Sequence, residues 1–414
     1  VGLWPRRVGT PVADMKQTPR EGSLEAPTRH SMDWRSPEFG DPTALDAELE
    51  RVFDICHGCR RCFNLCHSFP TLFDAVDGSE TGELDSVSKK AYWDVVEHCY
   101  LCDMCYMTKC PYVPPHEWNV DFPHLMLRAK AKAFQDGRPS WRDKVLSATD
   151  AVGSLAGIPV VAQTINAVNR SRSGRRLLQQ TLGVHAEAPV PAYHSNPARR
   201  RLRQKVGRRE ADAVSAGGTK GRVLIFVTCY GNRNQPGLVE DLSDVFEHNG
   251  IPTALAEKER CCGMPKLELG DLETVERYKN DNIEELYEWV EGGWDIIAPI
   301  PSCVLMFKQE LPLLFPGDEK VAAVAAGFFD PFEYLMLRHK VGRLDTNFRN
   351  TLGKVAYQVP CHLRVQNIGL KTRDILALIP ETQVEVIERC SGHDGTYAVK
   401  KEFNAISRKI ARPV

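Results

Sequence analysis

Two runs of cysteine stand out near the N-terminal end of the chain. Cys56, Cys59, Cys62 and Cys66 are spaced C-x2-C-x2-C-x3-C. Cys99, Cys102, Cys105 and Cys110 are spaced C-x2-C-x2-C-x4-C and are followed by Pro111. Three thiols within seven residues can wrap three corners of one iron–sulfur cube, and in two-cluster ferredoxins the fourth cysteine of a run ligates the other cube. The spacing therefore predicts two 4Fe–4S clusters with crossed ligation: Cys56, Cys59, Cys62 and Cys110 on one, and Cys99, Cys102, Cys105 and Cys66 on the other. Structural zinc is the competing reading, but it typically uses two separated C-x2–4-C pairs. His57, His67, His98 and His116 flank these runs. The quartets are complete without them, so packing or hydrogen bonding to cluster sulfurs is the expected role.

A second, sparser set follows. Cys229, the adjacent pair Cys261-Cys262, and Cys303 are distant in sequence, yet each follows a short apolar run. Adjacent cysteines rarely bond each other, so a vicinal pair with two remote thiols reads as a metal or cluster site, for iron–sulfur or zinc. The alternative is buried free thiols packing as small apolar groups. Cys361 and Cys390 repeat part of the pattern. Val223–Thr228 before Cys229 matches Val355–Pro360 before Cys361, and Cys261-Cys262-Gly263 matches Cys390-Ser391-Gly392.

The elements that must hold these groups are legible in outline. Asp41-Pro42 reads as a helix start, and Leu45, Leu49, Val52 and Phe53 fall on one face leading into the first run. A helix over Ser88–His98 leads into the second, and another follows Pro123 and stops near Gly137. The module over 41–137 is thus helical, with its clusters in the turns. Residues 1–40, rich in Pro, Gly, Arg and Ser, read as a disordered tail. From Arg222 the pattern becomes α/β. Strands are expected at Val223–Val227, Pro252–Ala256 and Ile296–Ile300, with helices at Leu238–His248, Leu272–Val290 and after Asp330-Pro331. Two related units result, over 221–345 and 350–414, with the cysteines beyond the carboxyl ends of mainly parallel strands, where open α/β sheets bind ligands. The expected fold class is α+β multidomain, a helical ferredoxin domain followed by two α/β units.

Residues 138–220 read as a helical and basic linker. Arg199, Arg200, Arg201, Arg203, Lys205, Arg208 and Arg209 form either a solvated strip or a docking strip for an acidic partner or an anionic membrane. Ala151–Asn169 is uncharged but carries Ser154, Pro159, Gln163, Thr164 and Asn166, so a buried or interfacial helix pair is expected over a spanning helix.

Composition excludes several classes. The 414 residues are 43% hydrophobic and 26% charged, with a net charge of −1, and nothing resembles a nucleic-acid-binding motif. The 14 cysteines are too sparse for a disulfide scaffold. No secretory signal pattern opens the chain, so the grouped thiols read as metal ligands in a reducing, cytoplasmic setting, with membrane association at most peripheral. The chain begins with Val1, and Met15 is a candidate start. No G-x-G-x-x-G fingerprint is present, so any hydride chemistry is assigned to a partner.

About thirty residues of helical pattern separate the two runs, which resembles the α-helical ferredoxin domain of iron–sulfur subunits of succinate dehydrogenase and fumarate reductase. Cys261-Cys262-Gly263, with Cys229 upstream and Cys303 downstream, resembles the cysteine-rich CCG domain. That domain occurs twice in the heterodisulfide reductase catalytic subunit, in the C subunit of anaerobic glycerol-3-phosphate dehydrogenase, and in glycolate and lactate oxidation proteins. The resemblance, from about Asp41 to the C-terminus, implies an iron–sulfur oxidoreductase subunit. It would relay electrons from a flavoprotein dehydrogenase or other donor to a quinone, a disulfide or a rubrerythrin-like protein. The last acceptor comes from HCYLCDMCYMTKCPYVPPH, His98 to His116, which resembles a heterodisulfide-reductase-related subgroup, some of which sit beside rubrerythrin-like proteins.

The resemblance also implies a noncubane cluster on five cysteines in each unit, and here the chain departs from it. Met306 stands where the family has its last cysteine, and a thioether is a weaker ligand than a thiolate. Ser391 replaces the second cysteine of the later pair. The 41-residue interval from Cys262 to Cys303, counted from Ser391, runs to about position 432, beyond Val414. The second site is therefore expected to be truncated or vestigial. His362 and His393 flank its thiols and are expected to pack or hydrogen-bond. The departures weigh against a self-contained disulfide or heterodisulfide reductase, and the quartets weigh against a zinc-structured scaffold.

Overall fold

A computed structural model describes residues 26–108, 110–208, 212–393 and 395–414. The helix Pro42–Cys59 begins at Asp41, whose carboxylate accepts from the Ala44 amide at 2.7 Å, with Pro42 in the first turn. Leu45, Leu49, Val52 and Phe53 bury its inner stripe. It stops at Arg60, held in the left-handed region at φ 50°. That reversal leaves Cys56 and Cys59 on the last helical turn and brings Cys62 to the same cavity. The helices Ser68–Asp77, Lys89–Glu97 and Phe122–Gln135 complete the module. Phe53 meets Tyr92 edge-on at 5.1 Å and Phe69 meets Phe122 at 4.7 Å, closing the core beneath the cysteine turns.

In the α/β region, β1 (Val223–Ile225), β2 (Thr253–Ala254), β3 (Asp295–Ile297) and β4 (Phe328–Phe329) form one parallel sheet in the order β2-β1-β3-β4. Val223, Ile225 and Val227 enter one core while Leu224 and Phe226 enter the other, as the two-residue period of a strand requires. The helices Pro236–His248 and Leu272–Glu291 make the right crossover lengths between the strands. The core on the Leu224 side is continuous with that of the cysteine module, so the two pack as one body. The second unit holds β5 (Lys354–Gln358) and β6 (Gln383–Ile387), paired in parallel. Two strands make up its sheet among the described residues, where the first unit has four.

Two expectations need correction. The N-terminal tail ends earlier than residue 40: Pro37–Gly40 is helical, the Met32 amide donates to the Leu313 carbonyl at 2.8 Å, and Trp34 meets Phe315 at 6.1 Å. Residues 1–25 of the expected tail lie outside the described residues. The basic stretch is solvated only in part: Arg200 and Arg203 are exposed, while four other side chains are paired. Arg199 pairs with Glu259, Arg201 with Glu240, and Lys205 and Arg208 with Glu247 of the first α/β unit. Its Arg209 lies outside the described residues. The linker carries the expected helices, at Trp141–Leu146, Thr149–Ala156, Pro159–Arg170 and Arg172–Leu182. The uncharged stretch is the expected helix pair, bent by 103°, and no single helix among the described residues is long and apolar enough to cross a membrane.

Candidate metal centres

The first quartet closes around one small cavity. Cys56, Cys59, Cys62 and Cys110 all line it, against Phe69, Phe73 and Tyr112. Burial pushes the Cys56 thiol well up, and the neighbouring Cys110, Cys62 and Cys59 push it further. Cys110 reaches this group because the chain after Cys105 runs through the helix Met104–Thr108, then folds so that the Cys110 amide donates to the Cys105 carbonyl at 2.9 Å.

Cys66 belongs to the other group. Burial and Cys99 push its thiol up to about 12. Cys102 is drawn down by a hydrogen bond with Cys361, but burial and its neighbours Cys66 and Cys105 outweigh this and bring it to about 12. Cys105 faces Cys62, Cys99 and Cys66, so the two groups adjoin at Cys62 and Cys105. Leu101 and Asp103 take φ of 53° and 59°, which bends the backbone tightly on both sides of Cys102. Thiolates in so dry a place are costly unless a cation neutralises them, and metal binding supplies that while releasing protons. Among the described residues no three His, Cys, Asp or Glu side chains converge tightly enough to hold a single ion. The four thiols lining the first cavity are a donor set of the kind that holds an iron–sulfur cluster.

The flanking histidines pack as expected. His67 and His98 stack edge-on at 4.5 Å, and His98 shares a 2.9 Å hydrogen bond with the Tyr397 hydroxyl, its pKa lowered to about 4 by burial first and by His67 next.

In the first α/β unit the four remaining thiols meet beyond the carboxyl ends of three neighbouring strands. Cys229 follows β1, Cys261 and Cys262 follow β2, and Cys303 sits in Pro301–Leu305 after β3. They form a chain of neighbours, Cys261 beside Cys229 and Cys262, and Cys262 beside Cys303. Their mutual contacts lower the Cys261 thiol and raise those of Cys229 and Cys262. Two backbone features set the geometry. Thr228 holds φ 68° and caps the turn at Cys229, and Gly263 holds φ 99°, a value that favours glycine. Met306 is fully buried, and its methyl lies 3.5 Å from where a Cβ on Gly263 would be. It begins a wide helical turn, Met306–Glu310, of a kind frequent at functional sites.

Several residues of this centre carry no signal in the sequence. Asp150 accepts from the Cys261 amide at 2.7 Å and the Thr149 hydroxyl donates to its sulfur at 3.4 Å, so the start of a linker helix closes the site. Glu259 accepts from the Val227 and Thr228 amides at 3.0 and 2.7 Å and pairs with Arg199, which fixes the turn into Cys229. Burial pushes the Glu259 carboxyl up to about 7. The nearest hint in the sequence is an acid two residues before Cys261.

The second unit brings Cys361 near both Cys390 and Cys102. The Tyr100 hydroxyl lies 3.4 Å from the Cys390 sulfur. His362 bonds the Ser302 hydroxyl at 2.8 Å, which ties this unit to the turn holding Cys303.

The CCG cysteine-rich domain matches twice, over residues 223–308 and 355–413. The C subunit of anaerobic glycerol-3-phosphate dehydrogenase from Escherichia coli strain K12 is 30% identical over 302 residues, 72% of this chain and 72% of that protein. The chain belongs to that family of iron–sulfur oxidoreductase subunits. Within the family's wider kinship, lactate utilization protein A of Exiguobacterium sp. is 26% identical over 190 residues, 43% of this chain and 74% of that protein. No solved structure matches.

Proposed function

We propose that this protein is an electron-transfer subunit of an oxidoreductase complex, carrying two 4Fe–4S clusters and a further metal centre. Cys56, Cys59, Cys62 and Cys110 hold the first cluster, and Cys66, Cys99, Cys102 and Cys105 hold the second. The closing of Cys56, Cys59, Cys62 and Cys110 around one cavity carries the reading, with Cys105 of the other group near Cys62. Bound cubanes supply one-electron transfer. The chain's own part is to supply thiolates, exclude water with Phe69, Phe73 and Tyr112, and hold the two groups in contact.

Cys229, Cys261, Cys262 and Cys303 hold a third cluster or zinc. Donor and acceptor follow from kinship: a flavoprotein dehydrogenase or other redox protein gives electrons, and a quinone, disulfide or rubrerythrin-like protein takes them. The setting is cytoplasmic. Contact with a membrane is at most peripheral, and the exposed Leu155, Ile158 and Val160 at the bent helix pair suit such contact.

The test is anaerobic purification with iron, sulfide and zinc counted per chain and EPR after dithionite reduction. About eight irons with two interacting cubane signals are expected, or about twelve if the third centre also holds a cluster. Zinc without iron or visible cluster absorption overturns the proposal.

A further inference from the structure

Ser68 opens the helix Ser68–Asp77 and is fully buried, yet its hydroxyl makes no hydrogen bond among the described residues. Buried hydroxyls are nearly always paired, so this one calls for a partner. The start of the helix is open in the same way. No side chain caps it, the Ser68 and Phe69 amides meet no backbone carbonyl among the described residues, and Pro70 has no N–H. A helix of ten residues therefore presents two amides, a hydroxyl and the positive end of its dipole at one buried place. Such a place favours an anion.

Two contacts locate that place. His67, between Cys66 and Ser68, meets the ring of His98 edge-on at 4.5 Å, and His98 immediately precedes Cys99. The helix start is thereby set beside the second group of thiols. Phe69 turns its ring into the cavity of the first four thiols, while Ser68 takes no part in that lining. Neighbouring side chains on a helix point about 100° apart, so the hydroxyl lies on the side of Cys66. Burial and then Cys99 push the Cys66 thiol up, and the donors of Ser68 and Phe69 work against that rise.

We propose that the Ser68 hydroxyl donates a hydrogen bond to the Cys66 thiolate when Cys66 ligates the second cluster, and so raises the reduction potential of that cluster. The Ser68 and Phe69 amides at the helix start act in the same direction. A cubane on four thiolates is an anion and gains a further negative charge on reduction. A donor aimed at one of its sulfurs therefore stabilises the reduced form more than the oxidised one. Ser68 exchanges no proton and forms no covalent bond; it tunes how readily one electron is held. This inference rests on the cluster assignment proposed above.

Redox titration of the anaerobically purified holoprotein, followed by EPR, tests it. Ser68→Ala is expected to keep its iron and to lower the reduced-to-oxidised ratio of the second cluster about tenfold at a fixed poise, a midpoint about 59 mV more negative for one electron. Ser68→Thr, which keeps the hydroxyl, is expected to stay near wild type. Pulsed EPR of reduced protein exchanged into D2O is expected to show a deuteron coupled to the second cluster that Ser68→Ala loses. A ratio within twofold of wild type, or a deuteron coupling that survives Ser68→Ala, overturns this inference alone. So does the absence of any coupled exchangeable deuteron in the wild-type protein, whatever the variants do. A shift confined to the cluster lost in Cys59→Ser overturns it together with the crossed ligation, and absence of iron overturns it together with both clusters.

Discussion

Cys110 lies beside Cys56, although in sequence it closes the run that contains Cys105. Cys110→Ser is therefore expected to remove the cluster held by Cys56, Cys59 and Cys62, about four of roughly eight irons, and to spare the other. The lost EPR signal should match the one lost in Cys59→Ser. Loss of the signal that depends on Cys102 would show that ligation follows the runs without crossing.

Met306 is a thioether packed against the Gly263 turn, which follows the Cys261–Cys262 pair in sequence, and it stands three residues after Cys303. Met306→Cys replaces a weak ligand with a strong one. We expect more iron bound at this centre and a changed visible spectrum, with the ferredoxin signals intact. Shortening a buried side chain also costs about 1–3 kcal/mol, read as a lower unfolding midpoint of the metal-free protein. Unchanged iron and spectrum would remove position 306 from the ligand sphere.

Arg29 is the centre of a buried charge network that joins three regions. Its guanidinium bonds Asp103 at 2.6 and 3.1 Å and Asp121 at 2.9 and 3.1 Å, and meets Glu310 at 3.4 Å. His124 bonds Glu310 from the other side at 3.3 Å. Arg29→Ala would leave the buried Asp103 and Glu310 and the partly buried Asp121 with one histidine, a loss on the order of 3–5 kcal/mol. Chemical denaturation of wild type and variant measures it. A change under about 1 kcal/mol would mean that water replaces the arginine without strain.

Much of this arrangement is legible in the sequence and some is not, for physical reasons. The ferredoxin-like helices and β1–β3 announce themselves through caps and periodicity, because Asp41-Pro42 and the run Val223–Val227 are local signals. β4 is two residues long and has no such signal. Arg29 reads as part of a disordered tail because its partners are remote: Asp103 and Asp121 belong to the cysteine module and Glu310 to the α/β unit. The basic run reads as solvated for the same reason, since Glu240, Glu247 and Glu259 meet it only after folding. The gathering of Cys229, Cys261, Cys262 and Cys303 is readable because parallel sheets collect ligands at one end. The approach of Cys361 to Cys102 is not, because it depends on how the second unit docks.

That docking is held in part by Asp143, which gives the last prediction. Asp143 caps its own helix through Ser140, whose hydroxyl lies at 2.6 Å, and pairs with Lys400 at 2.7 Å and Arg142 at 3.3 Å. Burial works to raise its pKa, but the hydrogen bonds from Lys400 and Ser140 and the charges of Lys400 and Arg142 outweigh it and hold the carboxyl at about 2. An unfolded aspartate titrates near 3.9. The folded value is the lower one, so the unfolded chain binds more protons between the two, and the stabilisation is full above about pH 4 and is lost as pH falls through about 2. Allowing for solvent at the rim of the site, it amounts to about 1–2 kcal/mol. Asp143→Asn should be less stable than wild type by that amount at pH 7 and equal to it near pH 2, in denaturant titrations of metal-free protein at both pH values. A deficit that persists unchanged at pH 2 would assign Asp143 to helix capping alone and leave Lys400 without an electrostatic role in holding the second unit.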